Sequence, residues 1–219
     1  MIDNLNIDIY ADGADLQSFL DLNSKKFIKG FTTNPSLMKK SGIKNYSEFA
    51  KELLKIIKDK PISFEVFADD IKSMEAQAKT IASWGKNVFV KIPITNTKGE
   101  STHNLIKNLN NQKIPLNVTA IFTLEQVLPI IESTDEETPL ILSIFAGRIA
   151  DSGIDPVPIM SKAIDISKNK KNVKILWAST REIYNIFQAE KINCHIITVP
   201  NNILSKLKHV GKDQKEFSL

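Results

Sequence analysis

Residues 87–92 read Asn-Val-Phe-Val-Lys-Ile and lead into Pro93, which places a lysine inside an otherwise apolar stretch. A short run of Val, Ile and Phe between turn signals is typical of a strand buried on both faces. Seven further runs of this kind occur along the chain. We predict strands at 6–11, 27–31, 62–67, 87–92, 115–121, 140–145, 173–178 and 194–199.

Longer amphipathic segments separate these runs. We predict helices at 14–22, 46–57, 71–84, 101–109, 124–131, 158–167, 181–189 and 202–208. Eight β–α alternations in 219 residues predict an α/β fold, a (β/α)8 TIM barrel rather than a doubly wound sheet. Since no Pro-, Gly- or Ser-rich linker divides the chain, we expect one domain over residues 1–219, with 209–219 as a short C-terminal tail and without an extended C-terminal helix.

The composition is that of an ordinary globular protein, with 42% hydrophobic and 25% charged residues. The net charge of +4 favours an anionic ligand such as a sugar phosphate, and it is also compatible with weak nucleic-acid binding. The basic residues are dispersed, and their densest run, from Lys168 to Lys174, is short. A solvated helix end explains that run better than a nucleic-acid contact, so we expect no nucleic-acid partner.

Other features point to a cytoplasmic protein without a metal. The single cysteine, Cys194, excludes an internal disulfide and fits a reducing compartment. Residues 1–10 lack the basic and apolar regions of a signal peptide, and no apolar run reaches the roughly 20 residues of a membrane helix. The three histidines, His103, His195 and His209, are too scattered to suggest a metal site.

Polar residues stand at the C-terminal ends of seven of the eight predicted strands. In a (β/α)8 barrel, side chains at these ends face the active site. The set comprises Asp12, Thr32, Thr33, Asn34, Glu65, Lys91, Asn117, Thr119, Ser143, Ser179 and Arg181. One such residue is ordinary, but a set on seven strands that converge on one mouth predicts a functional site.

Lys91 is the central candidate in this set. Desolvation in the apolar stretch around it disfavours the charged ammonium, and a neutral amine attacks carbonyl carbons to form Schiff bases. The alternative is a structural lysine that reaches water at the strand end or pairs with Glu65. The sequence leaves both interpretations open, and the two can coexist, since a nucleophilic lysine can also form an ion pair with Glu65.

Two acidic residues are candidates for proton transfer. Asp12 ends the first strand, where a carboxyl group near an imine can shuttle the proton of C–C bond cleavage. The alternative for Asp12 is the N-cap of the following helix, although Asp15 could also serve as that cap. Glu65 lies inside an apolar strand; it could hold a water together with Thr119, or form an ion pair with Lys91.

The remaining candidates are suited to binding a substrate. Neutral hydrogen-bonding side chains, each of which could also be structural, are Asn34, Asn117 and Ser143. Arg181, after Ser179, is predicted to open a helix, and Arg148 follows the sixth strand. Two arginines near a helix N-terminus could bind a phosphate, although each could instead form a surface ion pair. These residues predict a barrel enzyme that uses an amine on a phosphorylated carbonyl compound, but they do not select the reaction.

Six segments, in order over about residues 8–200, resemble motifs of the transaldolase family, in particular of its short, single-barrel subgroup. The most specific is Thr-Thr-Asn-Pro at 32–35, which is similar to a family signature after the second strand. The other five segments are 9–12, 89–93, 117–122, 143–151 and 178–181.

The resemblance implies a transaldolase of the pentose phosphate pathway, with sedoheptulose 7-phosphate or fructose 6-phosphate as donor and glyceraldehyde 3-phosphate or erythrose 4-phosphate as acceptor. It implies that Lys91 forms the Schiff base, that Asp12 assists cleavage, and that Glu65 and Thr119 position a water. It implies no metal or organic cofactor, because the imine is the electron sink. Implied substrate-binding residues are Thr33, Asn34, Asn117, Ser143, Phe145, Arg148, Ser179 and Arg181.

Two alternatives to the transaldolase function stay open. Fructose-6-phosphate aldolases share the fold and the lysine, but they tend to have glutamine at the position of Glu65 and tyrosine at that of Phe145. The second alternative is a non-catalytic barrel that binds sugar phosphates. Short transaldolases usually continue into one more helix, which packs over the mouth or a neighbouring subunit. We expect this chain, which ends at Leu219, to lack that helix, and a homo-oligomer is possible.

Overall fold

The computed structural model describes residues 5–13, 15–34, 38, 42–43 and 45–218. Eight parallel strands close into a barrel in chain order, and β8 pairs with β1 from Asp8–Ile196 to Asp12–Pro200. The strands are β1 (Asp8–Asp12), β2 (Ile28–Thr32), β3 (Ile62–Glu65), β4 (Val88–Pro93), β5 (Leu116–Ile121), β6 (Leu140–Ile144), β7 (Val173–Trp177) and β8 (Ile196–Pro200). The prediction of a single (β/α)8 TIM barrel is confirmed.

Helices in the described residues follow each strand. They are α1 (Leu16–Asn23), α2 (Tyr46–Ile56), α3 (Ile71–Ala82), α4 (His103–Asn111), α5 (Leu124–Ser133), α6 (Ala146–Asp151), α7 (Val157–Ser167), α8 (Tyr184–Lys191), α9 (Asn201–Leu204) and α10 (Gln214–Phe217), with a 3-10 helix at Ser205–His209. Most predicted boundaries differ from these by one to three residues, as is usual for helix ends. The predicted start of the first helix, Ala14, lies outside the described residues.

Three segments of the structure differ in kind from the prediction. The short helix α6 was not predicted, because residues 146–151 directly follow a strand and carry no cap signal. The predicted helix 202–208 is a single α-helical turn followed by a 3-10 helix. Residues 209–219 were predicted as a tail, but they include the one-turn helix α10, whose N-cap Asp213 accepts hydrogen bonds from the amides of Lys215 and Glu216. A four-residue helix is too short to be distinguished from a turn by periodicity.

Alternation along the strands sends one set of side chains inward. Inside the barrel, Tyr10, Ile141, Leu176 and Ile196 pack together in a small cluster with Phe89. Gly30 makes room for the Tyr10 ring, since a Cβ at that position would lie 2.5 Å from the ring. The larger core fills the layer between the barrel and its helices and includes Trp177. The interior below the mouth is therefore a packed floor on which the polar side chains at the strand ends rest.

Candidate active site

A cavity of about 390 Å³ opens at the C-terminal ends of the strands. A concave, largely preformed pocket of this size is typical of a small-molecule site. Its lining comprises Asp12, Thr32, Asn34, Lys91, Thr119, Ser143, Phe145, Arg148, Ala178, Ser179, Thr180, Arg181, Thr198 and Pro200. Nine of the twelve sequence-predicted site residues are among them; Glu65, Thr33 and Asn117 lie beside this lining but do not belong to it.

Lys91 lies on β4 at the bottom of the cavity, and the residue is 8% exposed. Its Nζ is 3.0 Å from Oε2 of Glu65, which pairs with it in the strand register from β3. The same nitrogen donates a long hydrogen bond of 3.4 Å to the carbonyl oxygen of Thr33. Of the interpretations left open by the sequence, the ion pair with Glu65 is therefore present. The amine is at the same time accessible from the cavity.

Asp12 lies at the end of β1, facing the same cavity. Desolvation raises the pKa of its carboxyl group above the usual value, and Glu65 adds to the rise. The charge of Lys91 and a hydrogen bond of 2.8 Å from Thr32 Oγ1 act in the opposite direction without cancelling the increase. The side chain that caps α1 is Asp15, which accepts a hydrogen bond from the amide of Ser18. Asp12 is thus available for proton transfer, and the N-cap alternative for it was wrong.

A buried chain of polar side chains lies next to Lys91. Ser143 Oγ donates to Oδ1 of Asn117 at 2.6 Å, and Nδ2 of Asn117 donates to Ser63 Oγ at 3.0 Å. The hydroxyl of Thr33 donates to the carbonyl oxygen of Ser63 at 2.9 Å. The side chains of Asn117 and Thr33 are therefore occupied by protein partners and support the floor of the cavity, whereas Ser143 also reaches its surface.

Thr119 lies two residues after Asn117 on β5, so both side chains belong to the inner face of the strand, and Thr119 lines the cavity. Its neighbour Ala120 has φ = 58°, and the pairing of β5 with β6 shifts between Val118 and Ile121. A bulge of this kind redirects the side chains next to it and is common beside active sites. The hydroxyl of Thr119 is buried and has no hydrogen-bond partner among the described residues. A buried polar atom in this state is suited to hold a ligand or a water.

The two arginines lie at the rim of the cavity in different states. Arg181 is bound by Asp151, whose carboxylate accepts hydrogen bonds of 3.0 Å from Nε, and the pair is about half exposed. These hydrogen bonds lower the pKa of Asp151. Arg148 is exposed and lies over the Phe145 ring, 5.2 Å from its centroid. The surface ion pair considered for Arg181 is therefore present, and Arg148 forms none with the described residues.

The segment around Arg181 corrects one prediction. Arg181 was expected to open a helix, but α8 begins three residues later, at Tyr184. The amides of Arg181 and Glu182 instead donate to Oδ1 of Asn185. The preceding residue Ser179 has φ = 63°, and its carbonyl oxygen packs so closely on Gly147 that a Cβ there would lie 1.6 Å away. Helix α6 and the loop after β7 are thereby in close contact next to the arginines.

Sequence reasoning missed the contribution of the eighth strand. Thr198 is buried at 8% exposure, lines the cavity, and lies 2.6 Å from the hydroxyl of Thr32. Thr180 also lines the cavity and donates to the carbonyl oxygen of Thr198 at 2.7 Å. A threonine between Ile197 and Val199 is a polar residue in an apolar strand, which is the same signal that identified Lys91.

Within the described ranges, no group of three or more His, Cys, Asp or Glu residues is arranged to hold a metal ion. Likewise, none of the helices described is long and apolar enough to cross a membrane. The motif residues Pro35 and Ser36 lie outside the described residues.

The fold and this site define the class of the molecule: a (β/α)8-barrel protein with a lysine-centred polar site at the C-terminal mouth. A family model described as Transaldolase/Fructose-6-phosphate aldolase matches residues 9–218. The chain belongs to this family. The family is one of transaldolase- and aldolase-type enzymes, and the resemblance noted in the sequence is confirmed at this level.

Individual relatives agree with the family assignment. A protein of Nitrosopumilus maritimus named probable transaldolase is 34% identical over 91% of this chain and 86% of its own length. A protein of Thermoanaerobacter with the same name is 35% identical over 91% of this chain and 89% of its own length. The match covers most of each protein, so the similarity concerns the whole barrel.

Solved structures of low sequence identity share the fold. A 2,3-dimethylmalate lyase superposes with a TM-score of 0.65 at 12% identity, covering 98% of this chain and 88% of that one. The KGPDC protein of Streptococcus mutans superposes with a TM-score of 0.60 at 12% identity, covering 92% of this chain and 91% of that one. These likenesses concern the barrel alone.

Proposed function

We propose that this protein is a transaldolase that transfers a dihydroxyacetone unit from a ketose phosphate to an aldose phosphate through a Schiff base on Lys91. The observation that carries the proposal is the buried amine of Lys91 at the bottom of a polar cavity that also presents the carboxyl group of Asp12. Membership of the family and two relatives named probable transaldolase support it. The donors are fructose 6-phosphate or sedoheptulose 7-phosphate, and the acceptors are erythrose 4-phosphate or glyceraldehyde 3-phosphate.

The first half-reaction forms and uses the imine. The nitrogen lone pair of Lys91 attacks the C2 carbonyl of the ketose, and the carbinolamine loses water to give an iminium ion. Asp12 takes the proton of the C4 hydroxyl while the C3–C4 bond breaks. The electron pair of that bond moves into the iminium and gives an enamine, and the aldose phosphate leaves. Because the iminium accepts this electron pair, the cleavage step needs no other electron acceptor.

The second half-reaction reverses these steps with a new aldehyde. The enamine carbon attacks the carbonyl carbon of the acceptor, and Asp12 returns its proton to the oxygen that becomes the new hydroxyl. Water then adds to the iminium, and the ketose phosphate is released from Lys91. Because desolvation raises the pKa of Asp12, its carboxylate accepts a proton more readily than an exposed aspartate would.

Glu65 and Thr119 are proposed to assist proton transfer during imine formation and hydrolysis. They lie on β3 and β5, the strands on either side of the one that carries Lys91. Glu65, at 3.0 Å from Nζ, can take up the proton that the nitrogen loses after it has added to the carbonyl carbon. The buried hydroxyl of Thr119, which has no partner among the described residues, can bind the water that enters and leaves the reaction.

Substrate binding is assigned to the rest of the set. Arg148, Ser179 and Arg181 surround one side of the cavity, where two guanidinium groups suit a phosphate. Asn34, after β2, and Ser143, on β6, also line the cavity and suit sugar hydroxyls, while Phe145 supplies an apolar wall. Asn117 and Thr33 are proposed to act indirectly. The side chain of Asn117 holds Ser143 by a hydrogen bond, and that of Thr33 holds the carbonyl oxygen of Ser63.

A fructose-6-phosphate aldolase is the second candidate, because the family includes both activities. An aldolase must protonate the enamine and release free dihydroxyacetone. A phenol at the position of Phe145 would supply a proton donor there, and the phenylalanine cannot. This difference favours transfer over release. A non-catalytic sugar-phosphate-binding barrel is disfavoured by the pairing of Lys91 and Glu65 next to Asp12.

The proposal is tested by mass spectrometry of the intact protein after incubation with fructose 6-phosphate and sodium borohydride. The parent is expected to gain a reduced dihydroxyacetone adduct, and Lys91→Ala is expected to gain none. The exposed Lys79→Ala serves as the matched control, and it should gain the adduct like the parent. Erythrose 4-phosphate added before the borohydride should discharge the adduct. A folded parent without adduct would contradict the covalent mechanism, and free dihydroxyacetone without an acceptor would favour the aldolase.

A further inference from the structure

A short row of hydroxyl groups crosses the seam where the barrel closes. Thr32 Oγ1 on β2 donates to Oδ1 of Asp12 on β1 at 2.8 Å. The same oxygen lies 2.6 Å from Thr198 Oγ1 on β8. Thr198 and Asp12 belong to neighbouring strands, so the row links three consecutive strands around the closed barrel. Both threonines are largely buried and line the cavity.

The number of protons fixes the direction of these hydrogen bonds. A threonine hydroxyl has one proton to donate and two lone pairs to accept. Thr32 gives its proton to Asp12, so the proton between the two threonines must come from Thr198. The row therefore runs from Thr198 through Thr32 to the carboxylate. A hydroxyl that accepts a hydrogen bond becomes a better donor, and each bond strengthens the next.

We propose that Thr198 is a positioning residue that acts through Thr32 to hold the Asp12 carboxylate ready to accept the proton of the substrate hydroxyl. This inference rests on the proposed function, since it assigns the geometry of the general base to a residue on the last strand. Without the Thr198 hydroxyl, the Thr32 hydroxyl is free to rotate, and its hydrogen bond to Asp12 weakens. A less stabilised carboxylate holds its proton to a higher pH.

Other charged and titratable groups also act on Asp12. Lys91 on β4 stabilises its charged form, and Glu65 on β3 opposes it. Further ionisable groups near it are Arg148 and Arg181 at the rim of the same cavity, Asp15 in the loop after β1 and Tyr10 on β1. None of these is changed by a substitution at Thr198. The effect of such a substitution on the pH profile therefore reports the hydroxyl row alone.

The test is the pH dependence of kcat for dihydroxyacetone transfer by the parent, Thr198→Val, Thr198→Ala and Thr198→Ser. Valine keeps the shape but excludes water from the place of the hydroxyl. We expect its acid limb to move up by about 0.3–1 pH unit, with kcat below the optimum reduced about 2- to 10-fold. Alanine, which leaves space for a water, should show a smaller shift, and serine should match the parent.

A matched control separates the hydroxyl from the backbone of the same residue. Thr180→Val removes a hydrogen bond to the Thr198 carbonyl oxygen but leaves the row intact, so the acid limb should stay in place. If Thr198→Val does not fold, the comparison of alanine with serine carries the test. An unmoved acid limb in an active Thr198→Val or Thr198→Ala variant, or a rise in KM alone, would overturn this inference only. A parent that forms no Lys91 adduct would overturn the proposed function and this inference with it.

Discussion

The Nζ atom of Lys91 and the Oε2 atom of Glu65 lie 3.0 Å apart, on neighbouring strands at the bottom of the barrel mouth. The side chains are 10% and 18% exposed, so water screens their attraction only weakly. Breaking a pair in such surroundings leaves the remaining charge poorly compensated. The pair thus serves the stability of the mouth as well as the proposed proton transfer.

Glu65→Gln keeps the size of the side chain but removes its charge. We expect turnover to fall by about 100-fold or more, because general acid–base catalysis contributes on this scale. We also expect a loss of about 1–3 kcal/mol in the free energy of unfolding in urea. Glu75→Gln is the control, since it breaks the exposed pair with Lys79 and should leave both quantities nearly unchanged. Equal behaviour of the two variants would contradict a role for Glu65.

Asp151→Ala tests whether the carboxylate orients Arg181 for phosphate binding. Asp151 accepts from one edge of the guanidinium and leaves its other nitrogen free to contact a ligand. We expect KM for fructose 6-phosphate to rise about 3- to 30-fold with kcat little changed. The KM for unphosphorylated fructose should not change. Asp165→Ala, which removes the partner of Lys168 on the surface, is the control. A fall in KM would instead mean that Asp151 competes with the phosphate.

Gly147→Ala tests the contact between helix α6 and the loop after β7. The new Cβ would meet the carbonyl oxygen of Ser179 at 1.6 Å, so either helix α6 or the loop after β7 must move. We expect a loss of more than about 2 kcal/mol in the free energy of unfolding and weaker binding of phosphorylated substrates. Gly99→Ala is the control, because φ is +79° there but no atom lies within 4 Å. It should cost only about 1 kcal/mol, and a Gly147 variant as stable as this control would argue against the contact.

Asp12→Asn should separate stability from activity. The folded state binds the Asp12 proton more tightly than the unfolded state does, because the pKa is raised. The stability that this group contributes to the folded state is thus present below the ordinary pKa of about 3.9. It is lost as the pH rises through the pKa of the folded state. The substituted asparagine cannot ionise, so the advantage of the variant in urea unfolding should grow as the pH rises above about 4, while transfer activity disappears. A variant that is less stable at neutral pH would refute this expectation.

We expect His195, at the other end of the barrel, to make the stability of the folded state depend on pH with the opposite sign. Its Nδ1 accepts a hydrogen bond of 3.0 Å from the amide of Ile175, which requires the neutral ring. Desolvation and then Lys174 lower its pKa, while Asp8 opposes them. The stability it contributes is present above the unfolded pKa of about 6.5 and is lost as the pH falls below it. Urea unfolding of His195→Asn should show a smaller loss from about pH 7 to pH 5 than the parent, and equal slopes would count against it.

Much of this molecule is determined by local sequence. Each strand is a short apolar run, and each is followed by an amphipathic segment, so the period of hydrophobic residues and the alternation of elements were enough to predict the barrel. In such a fold the ends of parallel strands meet at one face. The positions of Lys91, Asp12 and Ser143 in their strands therefore placed them in one mouth before any contact was known.

The partners of these side chains were decided by tertiary structure. Arg181 contacts Asp151 across 30 residues of chain, and Thr198 contacts Thr32 across 166, so neither pairing follows from local periodicity. The first pairing depends on the register of β6 against β7, and the second on the closure of β8 against β1, and no single segment encodes either of them. The two hydrogen bonds of the Asn117 side chain depend likewise on Ser63 and Ser143 from other strands. The sequence by itself determined which strand ends carry polar groups, and the closed barrel decided which of these groups line the cavity and which of them touch, because hydrogen bonds need atomic distances that only the packed strands set.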